Sequence, residues 1–306
     1  MTRYVIKRIL LALLTIFLIC ALTFFLMHAV PGGPFNREKA LDAATIQALE
    51  ERYGLNRPVG EQFLSYMKNV LKGDFGVSLK NGRNITDIFK DSFPISAKLG
   101  LMAIAVALVC GVIFGSIAAL MRNKLPDRII VFFSTLFTAV PSFVLATLLL
   151  LVFAIKLGWV PVFGAKQWSS IVLPAISLGL MNMASIARTT RSSMVETIRQ
   201  DYIRTAYAKG LPKRTVIMRH AFRNGLLPTI TVIGLEIGQM LGGSVLTETV
   251  FAWPGIGRLM IQSVNGRDTP TVMGCIILMT VCFSIVNLLV DLLYGVFDPR
   301  VRTMYH

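Results

Sequence analysis

The 306-residue sequence predicts an all-α membrane protein, with six transmembrane helices and a large extracytoplasmic insertion between the first and the second. Three observations carry this prediction. Only 15% of the residues are charged while 54% are hydrophobic, and a soluble surface of this size needs more charge to be wetted. The apolar residues collect in long runs, and a run of about 18 or more has the length of a helix that crosses hydrocarbon. The lysines and arginines, finally, gather in alternate connections between those runs.

Taken in order, four runs are free of charge: Ile9 to Asn36, Leu99 to Met121, Ile129 to Ile155 and Gln167 to Ala187. Two more, Leu226 to Val245 and Val272 to Val296, each hold a single acid, Glu236 and Asp291. Arg3, Lys7 and Arg8 ahead of the first run resemble a signal peptide. The run is longer than a signal's apolar core, so the sequence predicts a retained first span. The four cysteines, Cys20, Cys110, Cys275 and Cys282, all fall inside runs. No disulfide framework or CxxC metal site is available, and they read as small apolar residues.

Charge sets the orientation. With the N-terminus inside, the inner segments 1–8, 122–128, 188–225 and 297–306 hold seventeen Lys/Arg against four acids. The outer segments 31–97, 156–166 and 247–271 hold thirteen against ten. Both termini are therefore expected in the cytoplasm. The net charge of +15 is explained by orientation, which removes the main argument for a nucleic-acid partner. Trp159 and Trp168 flank the outer connection 156–166, as interfacial aromatics do.

Two connections are long enough to hold structure. In 31–97, Ile46, Leu49 and Tyr53 recur at helical spacing before Gly54. Val59, Phe63, Met67 and Val70 repeat the pattern before Gly73, and Asn81-Gly82 marks a turn. This is either a small helical cap or a docking element for an external partner. The inner loop 188–225 holds two helical stretches, Ser192 to Lys209 and Lys213 to Asn224, split by Gly210-Leu211-Pro212. Glycine takes the left-handed cap without steric penalty, and proline presets φ for the next helix. The result is a helix–turn–helix that either anchors on anionic lipid or fits a partner's groove.

Residues 202–228 read YIRTAYAKGLPKRTVIMRHAFRNGLLP. They resemble the signature of membrane subunits of binding-protein-dependent ABC importers: two small residues, a glycine four positions on, and a distal Leu-Pro. Thr205-Ala206 hold the small positions, Gly210 the glycine and Leu227-Pro228 the end. Arg204 stands where an acid is usual, and Gly225-Leu226 where the isoleucine region falls. Nearly the whole chain is similar to the dipeptide/oligopeptide permease branch: Pro94-Ile95-Ser96-Ala97-Lys98-Leu99-Gly100, the stretch Glu248 to Gly257, Asp298-Pro299-Arg300, and the extra first helix followed by a large outer loop. The resemblance implies three parts: an N-terminal helix 1–30, an outer loop domain 31–97 and a five-helix permease core 98–306. It further implies a pseudo-twofold pair with a second, homologous permease chain, two cytoplasmic ATPase subunits and an external binding protein. Arg204, Thr205, Ala206, Lys209, Gly210, Leu211 and Pro212 would form the surface that docks an ATPase. Permeases of this type carry di- and oligopeptides, and others nickel or another small solute.

The chain has no GxxxxGK[ST] loop to cradle phosphates, and its three histidines, His28, His220 and His306, are far apart with no HExxH. It is expected not to be an enzyme and to hold no cofactor or metal; ATP would be bound by partner subunits. In the fifth run Gly234, Gly238 and Gly242 share one helical face, suited to close packing. Glu236, Gln239, Met240 and Gly243 lie on roughly the opposite face. A charge at mid-bilayer costs about 2.5–3.5 kcal/mol, so Glu236, Gln239 and Met240 are expected to line a translocation path; the bland alternative is a buried hydrogen-bonding Glu236. Gly111, Gly115 and Ala119 make a packing face in the second run. Asn287 and Asp291 share a face near the inner surface, read as capping or pairing. Pro141 and Pro174 interrupt the third and fourth runs. The expected function is the translocation subunit of a peptide importer in the bacterial inner membrane. A secondary transporter or channel would need inverted repeats or a dense ion site, and a scaffold or sensor would use the outer loop as its ligand domain.

Overall fold

The computed structural model describes residues 2–29, 57–165, 167–241 and 245–297. Helix α1 is Thr2–Ala29 and α2 is Val59–Leu71. An isolated antiparallel bridge pairs Val77 with Asn84 ahead of α3, Ile85–Leu120. Then come α4, Leu125–Ala139, and α5, Ser142–Leu149, which runs on as a π-helix over Leu150–Lys156. A 3₁₀ turn, Trp168–Ile171, leads into α6, Val172–Ile198. Helix α7, Asp201–Ala208, is followed by an arm built from Lys213–Thr215, a π turn Val216–Ala221 and Phe222–Gly225. The chain ends its described course with α8, Leu227–Leu241, α9, Val245–Val250, α10, Ile256–Asn265, and α11, Thr269–Phe297.

Helices α1, α3, α6 with its 3₁₀ turn, and α11 are each long and apolar enough to cross a membrane. The third expected span is not straight: α4 and the α5 segment meet at 109°. Pro141 causes the break. Its ring forces the preceding Val140 into extended backbone, φ −80° and ψ 129°, as sterics before a proline require. Pro174, by contrast, sits in the first turn of α6, where a missing N–H is harmless, and interrupts nothing. The fifth expected span corresponds to α8, of which 15 residues are described.

Two boundaries differ from those read in sequence. Helix α3 begins at Ile85, capped by the Asn84 side chain, which accepts the Thr86 N–H at 2.9 Å. The division between 31–97 and 98–306 therefore falls inside one continuous helix. Asp87, Lys90 and Asp91 hide its first turns from a hydropathy reading, yet Ile85 and Phe89 are buried against Ile256 and Cys275. Likewise α6 continues to Ile198, so the stretch Ser192 to Lys209 is the end of one helix and the whole of another, divided by the extended Gln200.

The spine of the bundle is α3 against α6. Neighbouring residues rise together in number, Ala103 by Gly179, Gly111 by Met183 and Ile186, Gly115 by Ala187 and Thr190, so the two helices run parallel. Small residues at the contact let the backbones approach, the usual solution where lipid supplies no hydrophobic drive. Helix α8 packs on α3, α6 and α11, and α1 lies outside against α11. One end of the bundle therefore gathers 121–127 and the α7 arm, and the opposite end gathers α2, α9 and α10.

Candidate functional site

At the first of these ends, α7 is amphipathic over two turns. Ile203 and Ala206 turn inward and, with Val216 and Ala221 of the arm, make a buried cluster flanked by Ile198 and Leu211. The turn between helix and arm is closed by Gly210 at φ +77°, a left-handed cap. Its N–H donates to the Tyr207 carbonyl at 2.9 Å. Pro212, at φ −63°, is the N-cap of the next segment, and the Val216 N–H donates to its carbonyl at 3.1 Å. The arm is seated on α6 by Gly225, packed on Met194, and the Asn224 amide donates to the Tyr202 hydroxyl at 3.2 Å.

Arg204, Thr205, Lys209, Gly210 and Pro212 are exposed, and Leu211 is half-buried. Ala206 differs from the expectation: it belongs to the inner core of the arm, because it lies one turn from Ile203 on the apolar face of α7. The Arg204–Asp201 ion pair, 3.7 Å and open to solvent, adds little stability. The outer face is thus a ridge of Tyr202, Arg204, Thr205 and Lys209 held rigidly from beneath.

Of the expected path residues, Glu236 and Met240 have described side chains. Met240 is buried in the core cluster with Ala103, Ala107, Met183 and Ile186, so its side chain is used in packing α8 on α3 and α6. Glu236 is half-buried and hydrogen-bonds the Ser185 side chain on α6. The side chains of Gln239 and Asp291 lie outside the described residues, as do the surroundings of Gly238 and the residues Gly242 and Gly243 themselves. Gly234 does face another span, packed closely on Val290 of α11. His28 is hydrogen-bonded through both ring nitrogens, to the Phe24 carbonyl at 2.9 Å and the Gln62 side chain at 3.0 Å.

Three buried acids escaped the sequence reading. Asp127, 3% exposed, receives Arg191 Nε at 2.5 Å and Nη2 at 2.8 Å, together with the Asn123 N–H at 2.8 Å. Glu248, fully buried, accepts from the Ser96 hydroxyl at 2.7 Å and the Arg258 N–H at 3.0 Å. The same Ser96 oxygen accepts the Ile256 N–H at 2.8 Å, so one hydroxyl and one carboxylate satisfy the start of α10. Burial pushes the Glu248 carboxyl above its ordinary range, against the opposing pull of Ser96 and the Arg258 and Gly257 N–H groups. Nearby, the buried Trp253 ring donates to the Ile95 carbonyl at 3.2 Å. Asp268 accepts from the Ser78 hydroxyl at 2.5 Å, Thr271 at 2.8 Å and the Leu79 N–H at 3.1 Å, which ties the 77–84 turn to α11. The only sequence signal was Glu248, which opens one of the quoted stretches.

Residues 111–303 match the family of the binding-protein-dependent transport system inner membrane component, and residues 1–100 match its N-terminal membrane component. The chain is 43% identical over 306 residues to the dipeptide transport system permease protein DppB of Bacillus subtilis (strain 168), covering 99% of this chain and 98% of that one. It is 38% identical over 304 residues to the glutathione transport system permease protein GsiC of Escherichia coli (strain K12), covering 99% of both. Among solved structures it is similar in fold to an inward-facing methionine ABC transporter, MetNI, with a TM-score of 0.58 and 15% identity over 69% of this chain and 96% of that one. A crystal structure of an amino acid ABC transporter aligns with a TM-score of 0.54 and 17% identity, over 70% and 94%. The end-to-end identity and both family matches agree with the arm and the helical bundle: the chain belongs to the inner membrane components of binding-protein-dependent ABC importers, in the dipeptide/oligopeptide permease branch.

Proposed function

We propose that this chain forms half of the translocation path of an importer for di- and oligopeptides, and that its α7 ridge docks a separate ATPase subunit in the cytoplasm. The observation that carries the docking role is the arm: an exposed ridge whose own apolar core fastens it to the end of α6, so that a push on the ridge moves a span. Identity with a dipeptide permease along 99% of the chain supports the peptide substrate. The basic character of 188–225 supports a cytoplasmic position for the arm, with both termini on the same side. A second, homologous permease chain would complete the path, two ATPase subunits would hydrolyse the ATP, and a binding protein would deliver peptide from outside. Glu236, hydrogen-bonded to Ser185 on α6, would contribute a polar group to that path. Binding energy at the ATP sites drives transport only through contacts that differ between inward- and outward-open states, and the ridge supplies such a contact.

The test is copurification of tagged chain from its native membrane, wild type beside Gly210→Asp, with ATPase activity followed at each step. Wild type is expected to bring down ATPase subunits and a second membrane chain, and the variant to lose the ATPases. Wild type that purifies alone and transports without ATP defeats the proposal.

A further inference from the structure

We propose that Asp127 and Arg191 are the positioning pair that carries movement of the α7 arm to the bent third span. The inference rests on the function proposed above. The arm reaches the bundle through the last turns of α6, where Gly225 packs on Met194 and Ile198 borders the apolar core of α7. Arg191 lies three residues before Met194, within one turn of that seat. Its guanidinium grips Asp127, in the first turn of α4, through two parallel hydrogen bonds. A bidentate fork fixes orientation as well as distance, which a point charge on lysine does not.

The same carboxylate also accepts the Asn123 N–H. Asn123 lies in the α3–α4 turn at φ +65°, so Asp127 locks the turn and the helix together. Three residues earlier on α6, Arg188 donates to the Thr138 hydroxyl at 3.2 Å. Thr138 is three residues before Pro141, where the span turns through 109°. Helix α4 is therefore held to α6 by side-chain hydrogen bonds near its start and again next to its break. Apolar contacts between two spans can slide, whereas a half-buried bidentate fork on a buried carboxylate must stay matched or break. A tilt of the α6 end imposed at the arm consequently turns α4, and α4 swings the segment beyond Pro141.

An ion pair that merely held the fold would, when weakened, lower uptake and ATP hydrolysis together through loss of assembled complex. A pair that transmits movement lowers the number of peptides imported per ATP hydrolysed. The native complex, copurified with its ATPases and supplied with its binding protein, is reconstituted in proteoliposomes with radiolabelled alanyl-alanine as probe. Wild type is compared with Asp127→Asn and Arg191→Lys. The expected result is a fall of at least fivefold in alanyl-alanine imported per ATP in both variants, with hydrolysis per assembled complex kept within about twofold. A ratio unchanged from wild type overturns the inference, including the case in which uptake and hydrolysis fall in step. If Asp127→Asn does not assemble, the ratio in Arg191→Lys decides alone. Wild-type vesicles that import no alanyl-alanine on ATP addition defeat both this inference and the function on which it rests, and that outcome is read before any variant.

Discussion

Replacing Glu248 by alanine removes the acceptor at the centre of the buried knot that joins α3, α9 and α10. The Ser96 hydroxyl and the Arg258 N–H lose the partners they hold at 2.7 and 3.0 Å, and the Gly257 N–H loses the same carboxylate. An orphaned buried donor costs about 1–3 kcal/mol, so three of them predict a loss of at least about 3 kcal/mol, with water entering the vacated space to offset the remainder. Glu248→Gln keeps one acceptor oxygen but places an amide where a second acceptor stood, and is expected to lose about 1 kcal/mol. Thermal unfolding in detergent can be followed with a thiol-reactive fluorogenic dye, since Cys20 and Cys275 are free and buried in the native chain. At roughly 2 °C per kcal/mol for a larger chain, alanine should lower the midpoint by about 6 °C and glutamine by about 2 °C. An alanine variant that unfolds with wild type would refute the account, because the donors would then have been satisfied without the carboxylate. Burial lifts this carboxyl above its ordinary value of 4.5, so the native state holds the proton more tightly than the unfolded chain. The contribution is therefore full below that value and is lost as pH rises through the raised native value. Wild type should lose stability over that window relative to Glu248→Gln, and parallel pH profiles for the two would contradict the burial argument.

Other residues give sharper geometric tests. A Cβ on Gly115 would lie 2.5 Å from the Ala187 carbonyl oxygen and 2.6 Å from Thr190 Cβ, where ordinary contact begins near 3.4 Å. Gly115→Ala should therefore cost about 1–3 kcal/mol of stability by forcing α3 from α6, while Gly60→Ala, with open space around it, should unfold with wild type. Asp268→Ala should free the 77–84 turn from α11, read as faster protease cleavage near Asn81-Gly82 with the 201–225 arm still protected. Gly210→Ala should cost about 1 kcal/mol at a left-handed position and loosen α7 locally, seen as faster amide exchange over 203–211 without a change in the midpoint of the whole chain.

Much of this molecule is legible without coordinates, and for one reason: hydropathy, capping and turn chemistry depend on residues close together in the chain. The long apolar runs announce the spans, the break at Gly210-Leu211-Pro212 announces the two-part arm, and the small residues Gly111 and Gly115 announce a close helix contact. Local signals also mislead where tertiary packing rescues a polar stretch, as with the first turns of α3, which are helical although Asp87, Lys90 and Asp91 interrupt their apolar pattern. Proline is ambiguous for the same reason. Pro141 and Pro174 look alike in sequence, and only their positions in a break or a first turn separate them.

What the fold alone decided is where distant residues meet. Ser96 and Glu248 are 152 positions apart, Arg191 and Asp127 are 64 apart, and Ser78 and Asp268 are 190 apart. No periodicity connects such pairs, because the distance between them in space is set by how the helices cross. The same holds for Met240, which shares a helical face with Glu236 yet is used up in the core between α3 and α6. A helical wheel shows which residues share a face but cannot say which neighbour that face meets. By itself the sequence determined the elements, the branch of the family and the two-part helical arm; burial, and with it the hydrogen-bond partners that buried polar groups require, was decided by tertiary structure.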